Sequence, residues 1–521
     1  MKKMLSAIAV LLGTLSAAYS QAPYKVYTSP KLPVRDALER MNLTLAWTTR
    51  VTVDGQRDGI STVQLLPGKP SQLLVQTFKG SVFLYDADNG DLVWKTAVGV
   101  PYWTSQPAGF NSQSIFVTRR NVLHVLNRFD GLQRVFTYAP SSKSNLYGYE
   151  LAFTPNAAPS ADEDYLYFPM GNRVHAFYIP DFQSIAKARR ARAGRKRAAK
   201  EENGNEAQDE RGMIPDDNIP DGPDSPQLRF FWSYSLVDQL TTSSPLISGD
   251  QIGILTTNGA LTSVQYDFQK GRLFENFEFK TIGRVASAAG QHLHVAYLAS
   301  DDFNLYAVNL KSGELIWRYI SGAPIAQQPY VNDRDVYVAP ARVGLRRIDR
   351  LSGREVWTNR DTQRFLAANL NNVYALDRIG KFFVLDARRG ATLAKLDLSD
   401  WTIPIANEWT DRVYLAAHDG QVICLRHREL AKALNLKTQD LPIVKEIKKP
   451  LEEKKKDDDK KEDKDKDRDK DRDKDKDNTA AAIRHFRVRD RQIQVSARYE
   501  IFSWSRDNDA LGDERHTWAG R

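Results

Sequence analysis

The chain has 521 residues, of which 41% are hydrophobic and 10% aromatic, so it is long enough to bury a large core. Its formal net charge of +9 indicates an acidic partner only where the excess is concentrated. Cys424 is the single cysteine, which excludes an intramolecular disulfide, so stability must come from packing.

The first predicted element is an export signal. Lys2 and Lys3 precede the apolar run of residues 4–15, and Ala18 to Ser20 supply the small residues that signal peptidase reads. The apolar run is shorter than the roughly 20 residues that span a bilayer, and no later segment approaches that length. We therefore predict a signal peptide over residues 1–20 and an exported protein, periplasmic or at the cell surface, with no transmembrane segment.

A sequence motif of Asp or Asn, then three residues of any type, then Gly recurs six times. Alternating apolar runs stand on both sides, which predicts two strands joined by a hairpin. We expect the glycine to take the positive φ of the turn and the Asp or Asn to bond the turn's backbone N–H groups. A tryptophan four residues after the glycine is predicted to cover the gap between one sheet and the next. The complete motifs are Asp86, Gly90 and Trp94; Asn309, Gly313 and Trp317; and Asp349, Gly353 and Trp357.

The spacing of these motifs predicts a ring of similar sheets. A second turn signal about ten residues before each glycine gives four strands in a unit of about 40 residues, which is the size of a propeller blade. Less regular units place Phe136, Phe274 and Ala394 at or near the tryptophan position. One interval of 140 residues hides another blade, and residues 412–425 begin an eighth that lacks its last strand.

Leu43 to Trp47 reads as that missing strand, which would close the first and last blades without an open sheet edge. The prediction is an all-β fold, an eight-bladed β-propeller of four-stranded antiparallel blades over residues 43–427, with seven blades as the alternative.

The repeated motif resembles that of the pyrroloquinoline quinone (PQQ) β-propellers, the quinoprotein-alcohol-dehydrogenase-like superfamily, over about residues 43–427. Within it, the exported single-domain organisation with eight blades is most similar to BamB-like proteins. This resemblance implies a non-catalytic scaffold in outer-membrane protein assembly. The superfamily's enzymes hold PQQ and calcium at the axis, with an Asp as general base and a ring formed by two adjacent cysteines. Cys424 alone cannot form that ring, and the sequence shows no obvious set of oxygen ligands for Ca²⁺.

Other catalytic signals are thin, because the chain lacks GxSxG, HExxH and CxxC, and its eight histidines are scattered. We therefore expect a non-catalytic scaffold for protein partners in the cell envelope, with no catalytic residue, metal or cofactor. One alternative is a PQQ-dependent dehydrogenase that uses PQQ with calcium. Another is a cell-surface polymer-binding protein.

A ligand or partner is expected at the axial funnel, where each outer strand returns to the next blade's inner strand. Aligning the returns on Pro107, Pro245 and Pro329 selects one position in each blade, where tryptophans, arginines and carboxylates would hold a peptide or an anionic ligand. A solvated rim with ordinary ion pairs is the alternative. The candidate rim residues are Asp58, Trp103, Glu150, Arg284, Arg364 and Trp401, and Thr241 and Ile325 occupy the same position.

Three charged or irregular segments lie outside the repeats. The insertion 181–227 contains eight Lys or Arg between Lys187 and Lys200, which would meet anionic lipid, surface polymer or nucleic acid, or be neutralised by the acidic residues that follow. Residues 445–477 are predicted to form a disordered Lys/Asp-rich linker. The alternating segment within 480–521 predicts either a short β-hairpin that serves as a tethered binding element or a disordered tail.

Overall fold

The structure is a computed structural model that describes residues 29–53, 57–133, 149–180, 228–237, 239–241 and 243–438. The predicted signal peptide, the insertion 181–227, the linker 445–477 and the segment 480–521 lie outside these residues. The described chain begins with one short helix, α1 (Arg35–Glu39), which is followed by 32 strands. No helix in this described part is long and apolar enough to cross a membrane.

The strands form eight antiparallel sheets of four strands, which confirms the predicted eight blades over the seven-bladed alternative. The first strand, β1 (Leu43–Arg50), belongs to the last blade. Blade 1 contains β2 (Ile60–Leu66), β3 (Gln72–Thr77), β4 (Ser81–Asp86) and β5 (Leu92–Ala97). Blade 2 contains β6 (Gly109–Phe110), β7 (Ser114–Arg119), β8 (Val122–Asn127) and β9 (Tyr149–Glu150). Blade 3 contains β10 (Ser160–Ala161), β11 (Tyr165–Met170), β12 (Arg173–Tyr178) and β13 (Arg229–Ser235). Blade 4 contains β14 (Leu246–Ser248), β15 (Gln251–Leu255), β16 (Ala260–Asp267) and β17 (Arg272–Lys280).

The second half of the ring repeats this order. Blade 5 contains β18 (Gly290–His292), β19 (Val295–Ala299), β20 (Asn304–Asn309) and β21 (Leu315–Ile320). Blade 6 contains β22 (Tyr330–Val331), β23 (Asp335–Val338), β24 (Leu345–Asp349) and β25 (Glu355–Asn359). Blade 7 contains β26 (Arg364–Ala368), β27 (Asn372–Leu376), β28 (Lys381–Asp386) and β29 (Thr392–Asp397). Blade 8 contains β30 (Ile403–Ile405), β31 (Val413–Ala416) and β32 (Gln421–His427), and β1 completes it.

The ring closes where the sequence predicted. β1 pairs antiparallel with β32, and Trp47 lies opposite Cys424. The first strands of neighbouring blades approach one another, for example β2 with β30, so these strands form the inner wall of the ring. The closing strand therefore joins residues far apart in sequence into the last blade.

The antiparallel order gives the ring two different faces. The return face carries the connections from each fourth strand to the next blade, such as residues 98–108 and 281–289, and the turns between second and third strands. The opposite hairpin face carries the turns between first and second strands and the Asp-to-Gly hairpins between third and fourth strands. Any recognition site on the ring belongs to one of these faces or to an outer strand.

The repeated hairpins use the chemistry that their sequence predicted. Asp86 Oδ1 accepts a hydrogen bond from the N–H of Asp88 at 2.8 Å, and Gly90 has a φ of +80°. Asn309 and Asp349 accept equivalent backbone bonds in blades 5 and 6. The side-chain oxygen and the glycine together hold the tight turn.

The blade tryptophans connect neighbouring blades, as predicted. Trp94 Nε1–H donates to the carbonyl oxygen of Arg128 in the next blade at 3.0 Å. A Cβ at Gly131, in that blade's hairpin, would stand 2.5 Å from the Trp94 ring, so only glycine leaves room for it. The other tryptophan–glycine pairs are Trp47 on Gly90, Trp317 on Gly353 and Trp357 on Gly390.

A β-bulge sets the tryptophan position. In blade 5, Ala307 lies opposite Trp317 but Val308 lies opposite Leu315, so Ile316 is the extra residue. The same register shift occurs in every described outer strand except β9, which is two residues long. The bulge turns the large side chain toward the neighbouring blade.

Blade 4 corrects one expectation. Its bulge lies two residues farther from the hairpin, because β16 and β17 stay paired from Asp267 and Arg272 onward, and Phe277 rather than Phe274 takes the tryptophan position. The Phe277 ring packs on Gly313, whereas Phe274 is exposed. Ala394 does occupy the equivalent position in blade 7, and Phe136 lies outside the described residues.

We expect Gly90→Ala to lower the free energy of unfolding by about 2–5 kcal/mol. The added Cβ would combine the strain of a left-handed residue, about 1–2 kcal/mol, with overpacking of about 1–3 kcal/mol. The clash arises because the Cβ would stand 2.6 Å from the Trp47 ring.

Gly249→Ala is the matched control, because Gly249 also has a positive φ but a Cβ there meets nothing within 4 Å. It should cost about 1–2 kcal/mol of strain alone. Denaturant unfolding followed by tryptophan fluorescence measures both losses. Equal losses would contradict a tight contact between the glycine and the tryptophan.

Candidate partner-binding face

The return face is held together largely by its backbone. Several returns donate or accept backbone hydrogen bonds with the turn between the second and third strands of the following blade. Three such bonds run from Arg120 N–H to Thr104 O (2.9 Å), from Thr257 N–H to Leu240 O (2.8 Å) and from Asp301 N–H to Arg284 O (2.9 Å). Because the backbone fixes these loops, many of their side chains are left for contact with a partner.

A buried arginine supports the face where blades 1 and 2 meet. The guanidinium of Arg119 donates to the carbonyl oxygens of Thr77 (3.2 Å), Phe78 (3.1 Å) and Trp103 (3.0 Å). Burial lowers the pKa of Arg119, and the negative charge of Asp58 acts in the opposite direction. The backbone of the candidate residue Trp103 is therefore anchored from below.

Asp58 has a structural position beneath this face. Only 5% of it is exposed, and its Oδ1 accepts hydrogen bonds from the N–H groups of Gly59 (2.9 Å) and Lys79 (3.0 Å). The carboxylate thus stabilises the turn between β3 and β4. Asp58 was predicted to be available to a ligand at the rim, but its carboxylate is buried.

Trp401 is also buried, with 2% of its surface exposed, and it packs in the core between blades 7 and 8. Thr241 and Ile325, at the same aligned position, are buried as well. The aligned position therefore points inward in half of the blades. The irregular backbone of each return decides this direction, so sequence alignment alone could not give it.

The other four candidate rim residues reach the surface of the return face. Trp103 is half-buried, and the guanidinium carbon of Arg120 lies 5.7 Å from the centroid of its ring. Glu150, Arg284 and Arg364 are exposed. The face thus presents one aromatic ring and charges of both signs.

Several large apolar side chains on this face were not among the residues predicted from the sequence. They lie on returns or on the turns between second and third strands, and Ile282 is 81% exposed. Apolar residues within predicted loops, where turn-forming polar residues are expected, were the signal that could have identified them. They include Tyr102, Val237, Leu240, Ile282 and Phe303.

Backbone strain is concentrated on the same face. Five of the seven non-glycine residues with positive φ in the described chain lie on the return face. Such conformations are costly for bulky side chains and are typical of binding sites, where the surroundings enforce them. These residues are Tyr102, Arg120, Val237, Phe303 and Arg342.

Among the described residues, no group of three or more His, Cys, Asp or Glu is placed to hold a metal ion. Cys424 is fully buried inside blade 8, opposite Trp47 and Tyr414, and burial raises the pKa of its thiol. A thiol in this position is a packing group within a sheet.

Comparisons with known proteins agree with the repeat. Residues 277–440 match a protein-family model described as outer membrane protein assembly factor BamB. No curated protein matches the chain. BamB from Moraxella catarrhalis has a similar structure, with 14% sequence identity and a TM-score of 0.49 over 74% of this chain and 97% of that one. The computationally designed protein Ika8 is 12% identical, with a TM-score of 0.46 over 71% of this chain and 97% of its own. Residues 277–440 are thus similar to the BamB family of PQQ-type propellers.

The two candidate tryptophans should respond differently to substitution. Trp401→Ala is expected to lower the free energy of unfolding by about 3–5 kcal/mol, because it leaves a cavity in the core. Trp103→Ala should cost less than about 1 kcal/mol, since its side chain is half-exposed. Denaturant unfolding of both variants checks this difference, and a large loss for Trp103→Ala would show that its ring is needed for packing.

Proposed function

We propose that the protein is an exported, non-catalytic scaffold that binds a protein partner in the cell envelope through its return face. The observation that carries the proposal is the coincidence of exposed apolar side chains and strained backbone on that face. Ile282 and Phe303 lie at one junction, between blades 4 and 5, beside the exposed Arg284.

This combination of exposed apolar and charged side chains is typical of protein-interaction surfaces. Aromatic and aliphatic anchors supply most of the binding energy, and charged residues around them set orientation and exclude wrong partners. Tyr102, Trp103 and Arg120 form a second such group between blades 1 and 2. Two groups on one rigid ring suit a partner with an extended contact area.

The match of residues 277–440 to the BamB family model supports placing this scaffold in outer-membrane protein assembly. The charged leader and apolar run of residues 1–15 support export. The basic run Lys187–Lys200 would add attraction to anionic lipid or surface polymer in the same compartment.

A charge-reversal pair tests the proposal. In envelope preparations, cross-linking of the full chain should capture one defined protein, and Arg284→Glu with Arg364→Glu should weaken that interaction at least tenfold. The matched control is Arg354→Glu with Arg389→Glu, because these exposed arginines lie in hairpins on the opposite face. Quantitative mass spectrometry measures both. Equal effects of the two pairs would contradict binding through the return face.

The dehydrogenase alternative has its own test. Purified protein incubated with PQQ and Ca²⁺ should show no saturable quinone absorbance and no alcohol oxidation. A stoichiometric quinone complex with alcohol-dependent turnover would contradict the scaffold proposal and show that the protein is an enzyme.

A further inference from the structure

The chain continues past the last strand as a strap, residues 428–438, which crosses the hairpin face from blade 8 to blade 6. Arg412 donates to the carbonyl oxygen of Ala431 at 2.9 Å. The carboxylate of Asp411 pairs with Arg412 at 3.2 Å and accepts the N–H of Leu434 at 2.8 Å. Both charged residues are buried. The start of the strap is thus fixed by a dedicated ion pair.

The end of the strap is bound as an extended peptide. Asn435 forms an isolated antiparallel bridge with Thr410, and Leu436 N–H donates to the carbonyl oxygen of Trp409 at 2.8 Å. On the other side, Asp333 N–H donates to the carbonyl oxygen of Leu436 at 2.9 Å. Blade 8 and blade 6 therefore both bind its backbone, as sheet edges bind extended ligands.

One side chain of the strap fills a pocket of opposite charge. Lys437 is only 4% exposed, its ammonium pairs with the carboxylate of Glu408, and its Nζ lies 4.5 Å from the centroid of the Trp409 ring. The second oxygen of Glu408 accepts the N–H of Val331 at 2.9 Å. A carboxylate and an aromatic face are the groups that hold a desolvated ammonium.

The next residue is recognised as specifically. Thr438 N–H donates to Asp333 Oδ1 at 2.7 Å, and its hydroxyl donates to Oδ2 of the same carboxylate. His292 Nε2 lies 2.8 Å from Asp333 Oδ1 and holds that carboxylate in place. The groove thus binds a backbone segment, a lysine ammonium and a threonine hydroxyl at successive residues.

The strap is not needed to close the ring, because β1 with Trp47 already joins blade 8 to blade 1. A buried lysine is moreover an expensive way to gain stability compared with an apolar residue. A carboxylate and an aromatic ring that are both placed around this one ammonium point to recognition. The peptide features that the groove binds belong to any extended segment with this sequence.

We propose that the groove formed by Asp333, Glu408 and Trp409 is a binding site for an extended Leu-Lys-Thr segment of a partner protein. In the free chain the strap occupies it. Being covalently attached, the strap competes at a high effective concentration, so the site opens only when the strap is displaced. This second site lies on the face opposite the one that the proposed function uses.

The test measures binding of a fluorescein-labelled peptide, residues 433–440 of this chain, to the full-length protein by fluorescence anisotropy. The groove is emptied by replacing residues 434–438 of the strap with Gly-Ser-Gly-Ser-Gly, and this variant is called the vacated chain. We expect saturable binding to this variant at least tenfold tighter than to the wild-type chain. A peptide with Met at the position of Lys437, or Glu408→Gln in the vacated chain, should weaken binding at least tenfold.

Circular dichroism and thermal melting show whether the vacated chain is folded. If it is folded and does not bind the peptide, or binds the Met peptide equally well, the proposal is wrong. If it does not fold, Lys437→Met in the full chain is the second variant, because it weakens the strap's contacts with the groove and disturbs the fold less. The peptide with Lys is again expected to bind at least tenfold more tightly than the peptide with Met. Failure of both variants to fold would make the strap part of the core and would also overturn the proposal.

Discussion

The contact of a tryptophan ring with the hairpin glycine of the next blade is the interaction that holds four of the described blade junctions together. The indole needs a flat surface without a Cβ, and its Nε1–H needs an acceptor, which a carbonyl of the same hairpin supplies at 2.8 to 3.1 Å. Trp47 makes this contact with blade 1 from a strand that completes blade 8. Three junctions along the chain and the closing junction therefore use one chemistry. Blade 4 places Phe277 on the glycine instead, and blade 7 has Ala394 at this position. In blade 3 the nearest atom to a Cβ at Gly271 is Tyr266 Oη at 3.9 Å, and Phe231 packs against Tyr266.

Because these contacts lie on the hairpin side, the return face is under different constraints. Its loops are joined by backbone hydrogen bonds, which leave side chains such as Ile282 and Phe303 exposed and several residues in left-handed conformations. Exposed apolar groups and strain reduce the stability of a free chain, so their concentration on one face needs a compensating gain. The proposed contact with a partner would supply that gain on the return face. The hairpin face also exposes leucines, such as Leu351 and Leu370, but it holds fewer of the strained residues.

The sequence was sufficient where the structural cause is local. Asp86 and Gly90 define their hairpin within five residues, and the repeat made the pairing of Leu43–Arg50 with the last blade predictable. It was insufficient where pairing or irregular backbone decides. Phe277 replaced Phe274 because a bulge shifted with strand length, and Trp401 turned inward where Arg364 turned outward. The strap has no periodicity, so a buried Lys437 could not be expected from it.

Buried arginines hold several of the irregular segments in place. Arg119 and Arg412 each bind carbonyl oxygens of a return or of the strap. Arg128 binds those of Asn111 (2.8 Å) and Pro67 (3.0 Å), and burial lowers its pKa to about 10. A loop has no ladder partner for its carbonyl groups, and a guanidinium with five donors can satisfy several of them at once. Glycine and tryptophan thus join several of the blades, while arginine fixes loops of the ring and the strap.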